Sequence, residues 1–345
     1  IAIDSLGNVN IVGWVTHSEE SGPATLGPNS GDAKTGDSQP GVNAFLLQLD
    51  PDGATNFIKD WSSKGTSRAR GVAIQKDGTI ITVLDFSHDT IYLGTKANGA
   101  DQETTHKGRK HIGLLVAVTV EEDEQHIKWF KQFDTKMKIW PSGGIAIDRD
   151  DNIFVGGTVE KKQADGNLIK DTPLKKANNS IKVDRRHAFL LKTDDEGNGQ
   201  WAYRWGNSID DARLAEVVTS PDGGVTAVGS FKGTLELYNG KILGNDSMEK
   251  TNPFIVHLTG DGDYVWEKHL KSADSFYPSG AATDTFGRIY VSGWARGDFA
   301  DFDPSDEIVN VRQSNAHEDT DKCFVARYTA DGELDSANWV DRSTV

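Results

Sequence analysis

One segment of the chain, residues 298–307, places five carboxylates within ten residues: Asp298, Asp301, Asp303, Asp306 and Glu307. Carboxylate oxygens are the ligands that calcium prefers, and a bound cation would relieve the mutual repulsion of these charges. Alternation along an extended strand puts Asp301 and Asp303 on the same side. The segment is therefore a candidate calcium site, and a solvated acidic edge without a cation is the simpler alternative.

Short acidic turns elsewhere also present oxygens at alternate positions, as in Asp148, Asp150 and Asn152. None of them completes an EF-hand loop with a glutamate at its twelfth position. Asp and Gly also recur in hairpin turns, because both tolerate the left-handed backbone. Turn formation is the preferred interpretation of these residues, and a calcium-stabilised structural subunit remains an alternative function.

Aromatic and basic residues supply the candidates for a ligand or partner surface. Trp14 and Trp294 fall near predicted strand ends, where an exposed indole could stack on a sugar, and Trp140 and Trp205 share that placement. Packing in the core is the simpler alternative for all four. One long link between strands is basic and contributes four further candidates: Lys161, Lys162, Arg185 and Arg186. These residues predict a surface that binds a protein, a glycan or a second copy of the chain.

Motifs for catalysis are missing from the sequence, which has no GxSxG, no HExxH, no Gly-rich phosphate loop and no Cys/His metal spacing. Glycosidases use paired carboxylates, but no pair stands out among the 52 acidic residues. We therefore expect a protein that is not an enzyme, with calcium as its one candidate cofactor. A carbohydrate-active enzyme with carboxylates near a central channel is the alternative.

The frame that must position these residues is encoded as an internal repeat. Residues 143–157, GGIAIDRDDNIFVGG, read as two apolar strands joined by a tight acidic turn, which is the pattern of a β-hairpin. The pattern occurs five times, and its turn positions are 71, 73, 72 and 64 residues apart: Gly7, Gly78, Asp151, Gly223 and Gly287. A period of this kind indicates a repeat architecture.

Each repeat continues with a second hairpin, such as AFLLKTDDEG at 188–197, whose last strand carries a tryptophan: Trp61, Trp129, Trp201, Trp266 and Trp339. Four antiparallel strands in meander order form a propeller blade, and thin blades must stack to bury both faces. The sequence thus predicts an all-β, five-bladed β-propeller of four-stranded antiparallel blades, with the tryptophans packed between blades. We expect one domain over 1–345, with blades at about 1–70, 71–143, 144–215, 216–279 and 280–345.

GIAIDRDDNIFVGG followed by HAFLLKTDDEGNGQW resembles the bacterial β-propeller repeat family of secreted and cell-surface proteins. The segments 229–237 (GSFKGTLEL) and 296–304 (RGDFADFDP) are similar to the stretch that follows the second strand in that family. The resemblance implies a propeller fold, an extracellular or cell-surface location and a surface or adhesion role. The second repeat departs from the pattern at Gln75, Leu84 and Glu124.

Link lengths predict which side of the propeller binds. The turns within each hairpin are short, whereas the links between second and third strands are long and differ in composition: 16–42, 85–113, 158–187, 230–252 and 295–322. In a meander blade these links all leave from one face, and long links on a rigid frame commonly carry binding sites. We therefore expect a non-enzymatic extracellular binding or scaffold module, with self-association into an oligomer as one form of partnering.

Bulk composition limits partners and location. A net charge of −15 disfavours nucleic acid and anionic membrane surfaces. The apolar runs are too short for a transmembrane segment, which needs about 20 residues. The single cysteine, Cys323, falls within a predicted strand and is expected to be a buried thiol. Because the sequence opens on a repeat strand without Met, we expect it to belong to a longer chain.

Overall fold

The computed structural model describes residues 1–17, 41–61, 63, 65–87, 90–95, 101–105, 111–121, 124–133, 138–160, 174–176, 186–206, 211–237, 241–244, 250–272, 274–296, 300–302 and 321–340. These residues form strands and turns and contain no helix. Accordingly, no helix in this part of the chain could cross a bilayer.

Five sheets, each built on a four-stranded antiparallel meander, follow one another along the described residues. Sheet 1 contains β1 (Ala2–Ile3), β2 (Val9–His17), β3 (Gly41–Leu49) and β4 (Thr55–Trp61). Sheet 2 contains β5 (Ser67–Ile74), β6 (Ile80–Phe86), β9 (Ile112–Glu121) and β10 (Glu124–Gln132). Between β6 and β9 the chain forms a separate hairpin of β7 (Thr90–Thr95) and β8 (Asp101–Thr105).

Sheet 3 is larger, because extra strands extend the four-stranded meander. It contains β11 (Lys138–Trp140), β12 (Ile145–Ile147), β13 (Ile153–Glu160), β14 (Leu174–Lys176), β15 (Arg186–Thr193) and β16 (Gly199–Trp205). Both β11 and β12 pair antiparallel with β13, and β14 adds to β16 in parallel.

Sheets 4 and 5 repeat the four-stranded order. Sheet 4 contains β17 (Ala212–Thr219), β18 (Val225–Lys232), β21 (Thr251–Leu258) and β22 (Tyr264–His269), and the pair β19 (Thr234–Glu236) and β20 (Ile242–Gly244) forms a small hairpin. Sheet 5 contains β24 (Phe276–Thr283), β25 (Ile289–Ala295), β27 (Lys322–Tyr328) and β28 (Leu334–Val340). The short strands β23 (Lys271–Ser272) and β26 (Ala300–Asp301) pair beside it.

The first turn of each repeat forms where the sequence predicts it. All five aligned turn positions, including Gly7 and Asp151, have φ between 63° and 88°. This left-handed backbone explains why glycine occupies four of the five positions. The aspartate that opens the turn stabilises it: Asp148 Oδ1 accepts from the N–H groups of Asp150 and Asn152 at 2.8 and 2.9 Å. These carboxylates therefore serve turn formation.

Apolar side chains between successive sheets form the core. Four buried clusters lie between sheets 1 and 2, 2 and 3, 3 and 4, and 4 and 5. Burial of each Val, Leu or Phe side chain in such a layer contributes about 1.5–3 kcal/mol. Sheets 2, 3 and 4 each pack on two neighbours, as stacked blades do. The prediction of an all-β, propeller-like fold of four-stranded antiparallel sheets is confirmed; the blade count, ring closure and domain boundaries remain predictions.

Tryptophans on the last strands connect neighbouring sheets, as predicted from the repeat. Trp201 Nε1 donates to Gly260 O at 3.1 Å, and Trp266 Nε1 donates to Ala330 O at 2.9 Å, in each case reaching a turn of the following sheet. Their register is less uniform than the sequence indicates. Trp129, Trp201 and Trp266 hold one register position, whereas Trp61 pairs with Ala44 nearer the other end of its strand.

The outer faces of sheets 1 and 5 contribute to none of these clusters in the described part of the chain. The prediction that Cys323 is buried is wrong, because alternation places this thiol on the outer face of sheet 5, where it is exposed. Val325 lies on the same face and is also exposed, as is Ile3 on the outer face of sheet 1. A strand position alone therefore did not decide burial.

Candidate functional site

The acidic segment 298–307 lies mostly outside the described residues. Asp301 is half-buried in β26, where it pairs with Lys271. Asp298, Asp303, Asp306 and Glu307 are not described. Within the described ranges, no group of three or more His, Cys, Asp or Glu side chains could hold a metal ion. The calcium site at this segment therefore remains a prediction.

The predicted partner surface is partly described. Lys161, Lys162 and Arg185 fall outside the described residues, and Arg186 opens β15. Trp14 is 50% exposed, whereas Trp294 is half-buried because it stacks on Tyr277 at a ring-centroid distance of 4.3 Å. Trp205 is 1% exposed and lies in the core between sheets 3 and 4, in agreement with the alternative of core packing, so it is not part of an exposed partner surface.

Several of these residues lie at one edge of the sheets, from which the chain leaves the second strand of each repeat. We call it the link edge; the opposite edge, which carries the short turns, is the turn edge. Cross-strand pairs near the link edge recur in successive sheets: Asp85 with Arg68, Thr158 with Trp140, Ser230 with Arg213, and Trp294 with Tyr277. The repeat thus places chemically different side chains at equivalent points.

The densest of these groups is centred on Asp85, and we define the Asp85 cluster as Trp14, Arg68, Arg70, Asp85 and His111. The Asp85 side chain is fully buried, and its Oδ1 accepts a hydrogen bond from Arg70 Nε. Arg68 Nη1 and His111 Nδ1 lie 4.0 and 3.9 Å from Oδ2, beyond hydrogen-bonding distance. Oδ2 has no hydrogen-bond partner among the described residues.

Electrostatics keep this buried carboxylate charged. Burial alone would raise the pKa of Asp85, but His111, the Arg70 hydrogen bond and the charges of Arg70 and Arg68 outweigh it and hold the pKa below its ordinary value. Two guanidinium groups thus share one carboxylate. Their side chains are 27% exposed for Arg68 and 22% for Arg70, so both reach the surface while Asp85 anchors them from below.

Aromatic rings surround the Asp85 cluster. The guanidinium carbons of Arg70 and Arg68 lie 5.4 and 5.9 Å from the ring centroid of Trp14, within the range of cation–π attraction. The His111 ring, whose Nδ1 lies 3.9 Å from Asp85 Oδ2, has its centroid 5.1 Å from that of Trp140. Arg186 then lies 5.8 Å from the Trp140 ring. The three sheets therefore present a continuous strip of arginine and aromatic groups.

Backbone irregularities orient two members of the Asp85 cluster, Arg70 and His111. Arg70 occupies a β-bulge in β5, where the pairing with β6 shifts between Ala69 and Gly71. Bulges redirect side chains and are frequent beside functional sites. His111 has a φ of 64°, which is rare for a non-glycine residue, and its carbonyl accepts from the Ile139 N–H at 3.1 Å. The inter-sheet hydrogen bond holds His111 in this conformation.

Sequence reasoning missed Arg68, Arg70, Asp85 and His111. One signal was available: the second repeat is the one that departs from the pattern, with Leu84 in place of the strand glycine directly before Asp85. The pairing of Asp85 with the SRAR segment depends on strand register, which the repeat alignment could have supplied.

A second group that sequence reasoning missed is Glu216 on β17, the first strand of sheet 4. Three other repeats carry glycine at the equivalent position: Gly71, Gly144 and Gly280. Burial raises the pKa of Glu216 to about 7, against the opposing effect of the hydrogen bond from the Val217 N–H. The carboxyl group lies against Gly144, where a Cβ atom would clash with it.

Comparisons with known proteins identify no relative by sequence. No family model matches the chain. No curated protein matches it either. Among solved structures, the chain is similar to a protein of unknown function from Bacteroides caccae, with a TM-score of 0.36 and 10% identity over 86% of this chain and 90% of that one. It is also similar to the Dos1 propeller, with a TM-score of 0.27 and 6% identity over 72% of each chain.

Proposed function

We propose that this chain is a five-bladed β-propeller that acts as a non-enzymatic binding or scaffold module, outside the cell or on its surface. Its partner surface is the link edge. The observation that carries this proposal is the strip of arginine and tryptophan side chains at that edge, in a chain whose net charge is −15. Tryptophan and arginine are the residues most enriched at binding hot spots.

Support for a ring comes from the order of packing and from Glu216. Successive sheets pack face to face in chain order. The nitrogen of Ile1, directly before β1 of sheet 1, lies near enough to the Glu216 carboxyl group of sheet 4 for the two to interact electrostatically. First strands that converge on one axis account for this proximity. The proposed closure would bring the outer face of sheet 1 against that of sheet 5, the faces that carry the exposed Ile3, Cys323 and Val325.

The binding role is tested with a variant that removes the strip and a matched control at the turn edge. Trp14→Ala/Arg186→Ala removes one aromatic and one arginine from the strip. Phe286→Ala/Arg288→Ala removes the exposed pair at the turn edge, whose ring and guanidinium lie 5.2 Å apart. Both proteins and the wild type are assayed against immobilised neutral, acidic and basic polysaccharides and polypeptides, and for self-association by sedimentation.

We expect at least one interaction of the wild type to be lost in the link-edge variant and kept in the turn-edge variant. Loss confined to the turn-edge variant, or equal binding by all three proteins, would show that the link edge is not the partner surface. A wild type that neither binds nor self-associates would contradict the binding role itself.

A carbohydrate-active enzyme is the second candidate function, and Glu216 is the observation that favours it. A carboxyl group with a pKa of about 7 on a first strand has the protonation expected of a general acid. Release of reducing ends from a polysaccharide panel, abolished by Glu216→Gln and retained by Glu333→Gln, would establish this function. Wild-type protein that releases none would dismiss it.

A further inference from the structure

The Asp85 cluster has an excess of positive charge in contact with an exposed ring. Arg68 and Arg70 share the single carboxylate of Asp85 in the described part of the chain. Charged groups nearby are already engaged: on sheet 3, Lys138 Nζ pairs with Glu160 Oε1 at 2.9 Å, and Asp211, directly before β17 of sheet 4, accepts from the Arg186 backbone N–H at 3.3 Å. An anionic group is therefore the ligand that complements Arg68 and Arg70.

The form of the anion follows from the guanidinium groups. Arg70 is oriented through its Nε atom by Asp85, and Arg68 lies 4.0 Å from the same carboxylate without a hydrogen bond to it. A planar fork of N–H donors matches a planar carboxylate in two parallel hydrogen bonds, which a point charge such as lysine cannot reproduce. A carboxylate is thus the anion that these arginines recognise best.

Trp14 favours a saccharide over a peptide as the source of that carboxylate. Half of its side-chain surface is open, and its ring lies within 6 Å of both guanidinium groups. A flat, exposed indole offers an apolar surface with a partly negative face, on which the C–H groups of a sugar ring can pack. An aspartate or glutamate side chain in a peptide supplies a carboxylate but no ring to cover the indole.

We propose that Trp14, Arg68 and Arg70 form a subsite for the carboxylate-bearing ring of an acidic saccharide, a proposal that rests on the binding role assigned to the link edge. The two arginines bind the carboxylate, and Trp14 packs against the sugar ring. Asp85 is fully buried and is a positioning residue, which holds Arg70 in orientation from below.

The experiment measures dissociation constants for three carboxylated saccharides: oligogalacturonate, oligoguluronate and hyaluronan oligomers. Methyl-esterified oligogalacturonate and a neutral galactose oligomer are the uncharged references, and poly-glutamate is the peptide reference. Trp14→Ala tests the stacking surface. Arg70→Lys keeps the charge and removes the fork, so its effect separates carboxylate recognition from net attraction. Phe286→Ala, at the turn edge, is the matched control, and thermal unfolding confirms that each variant is folded.

We expect at least one carboxylated saccharide to bind, and Trp14→Ala and Arg70→Lys each to weaken it by about tenfold or more, the scale of one lost charge-assisted hydrogen bond or stacking contact. Methyl esterification should weaken binding to a similar extent, and Phe286→Ala should leave it unchanged. Failure of all three saccharides to bind, equal binding of poly-glutamate, or indifference to Trp14→Ala would each overturn the proposal. In any of these cases, binding of another panel member at the link edge would leave the proposed function standing.

Discussion

Glu216 allows a prediction whose sign and size follow from the structure. Its carboxyl group is largely buried against Gly144, and its pKa is raised from the ordinary 4.5 to about 7, chiefly by burial. The folded protein therefore binds a proton on this group more tightly than the unfolded chain does. Consequently, the free energy of unfolding falls as pH rises from about 4.5 to about 7, the interval between the two pKa values.

The magnitude comes from linkage between protonation and folding. Each pKa unit corresponds to about 1.4 kcal/mol, so the full shift amounts to about 3 kcal/mol. Glu216→Gln resembles the protonated side chain and keeps an oxygen that can accept from the Val217 N–H, as Oε1 does at 3.1 Å. We expect the variant to match the wild type in stability at pH 4 and to exceed it by about 3 kcal/mol at pH 8.

The assay is urea unfolding followed by fluorescence of the nine tryptophans, measured from pH 4 to pH 8 for both proteins. Other groups also titrate in this interval, so the informative quantity is the difference between variant and wild type at each pH. Glu333→Gln, which changes an exposed turn glutamate, is the control. A difference that stays flat over the interval, or that favours the wild type at pH 8, would refute the burial argument.

Three further predictions test the site, a backbone contact and the ring. Asp85→Asn leaves two guanidiniums without their shared carboxylate and should cost about 3–5 kcal/mol in urea unfolding. Asp335→Asn, which breaks the solvent-exposed pair with Arg327, should cost much less; equal losses would contradict the role of Asp85 as an anchor. Gly293→Ala should lower the melting temperature, because the added Cβ would lie 2.1 Å from Tyr277 O. Gly244→Ala, whose Cβ would meet nothing within 4 Å, should leave the melting temperature unchanged. A melting temperature that Gly293→Ala does not change would show that the strands can separate at this point. Ile11→Cys introduces a thiol on the outer face of sheet 1. If the ring closes, a short bis-maleimide should link this thiol to Cys323 of the same molecule, which gel mobility and mass spectrometry detect. Cross-links found only between molecules would argue against ring closure.

The turns and strand pattern were predictable because they depend on neighbours in sequence. Alternation placed the strands, and the need for positive φ placed the turn residues, as the shared backbone of Gly7, Gly78 and Asp151 confirms. The link lengths also predicted a partner edge, which remains a prediction, and Trp14 and Arg186, two of its named candidates, do lie near that edge. Predictions of this kind require only the knowledge of which edge of a sheet a residue approaches.

Burial and pairing could not be predicted in the same way. Cys323 and Trp205 both lie on strands, yet one is exposed and the other is in the core, since only one of the two faces packs on a neighbouring sheet. Asp85 and Arg70 are 15 residues apart and meet through register and a bulge. Nothing in their spacing indicates a hydrogen bond.

The repeated hairpins, the absence of catalytic motifs and the edge that carries the long links could be read from the order of the amino acids. Which arginines surround Asp85, which tryptophan stays open to solvent and why Glu216 holds its proton became clear only from the packed sheets. These properties depend on the distance and dielectric environment between side chains of different strands and sheets. Such distances are fixed only when the sheets have packed.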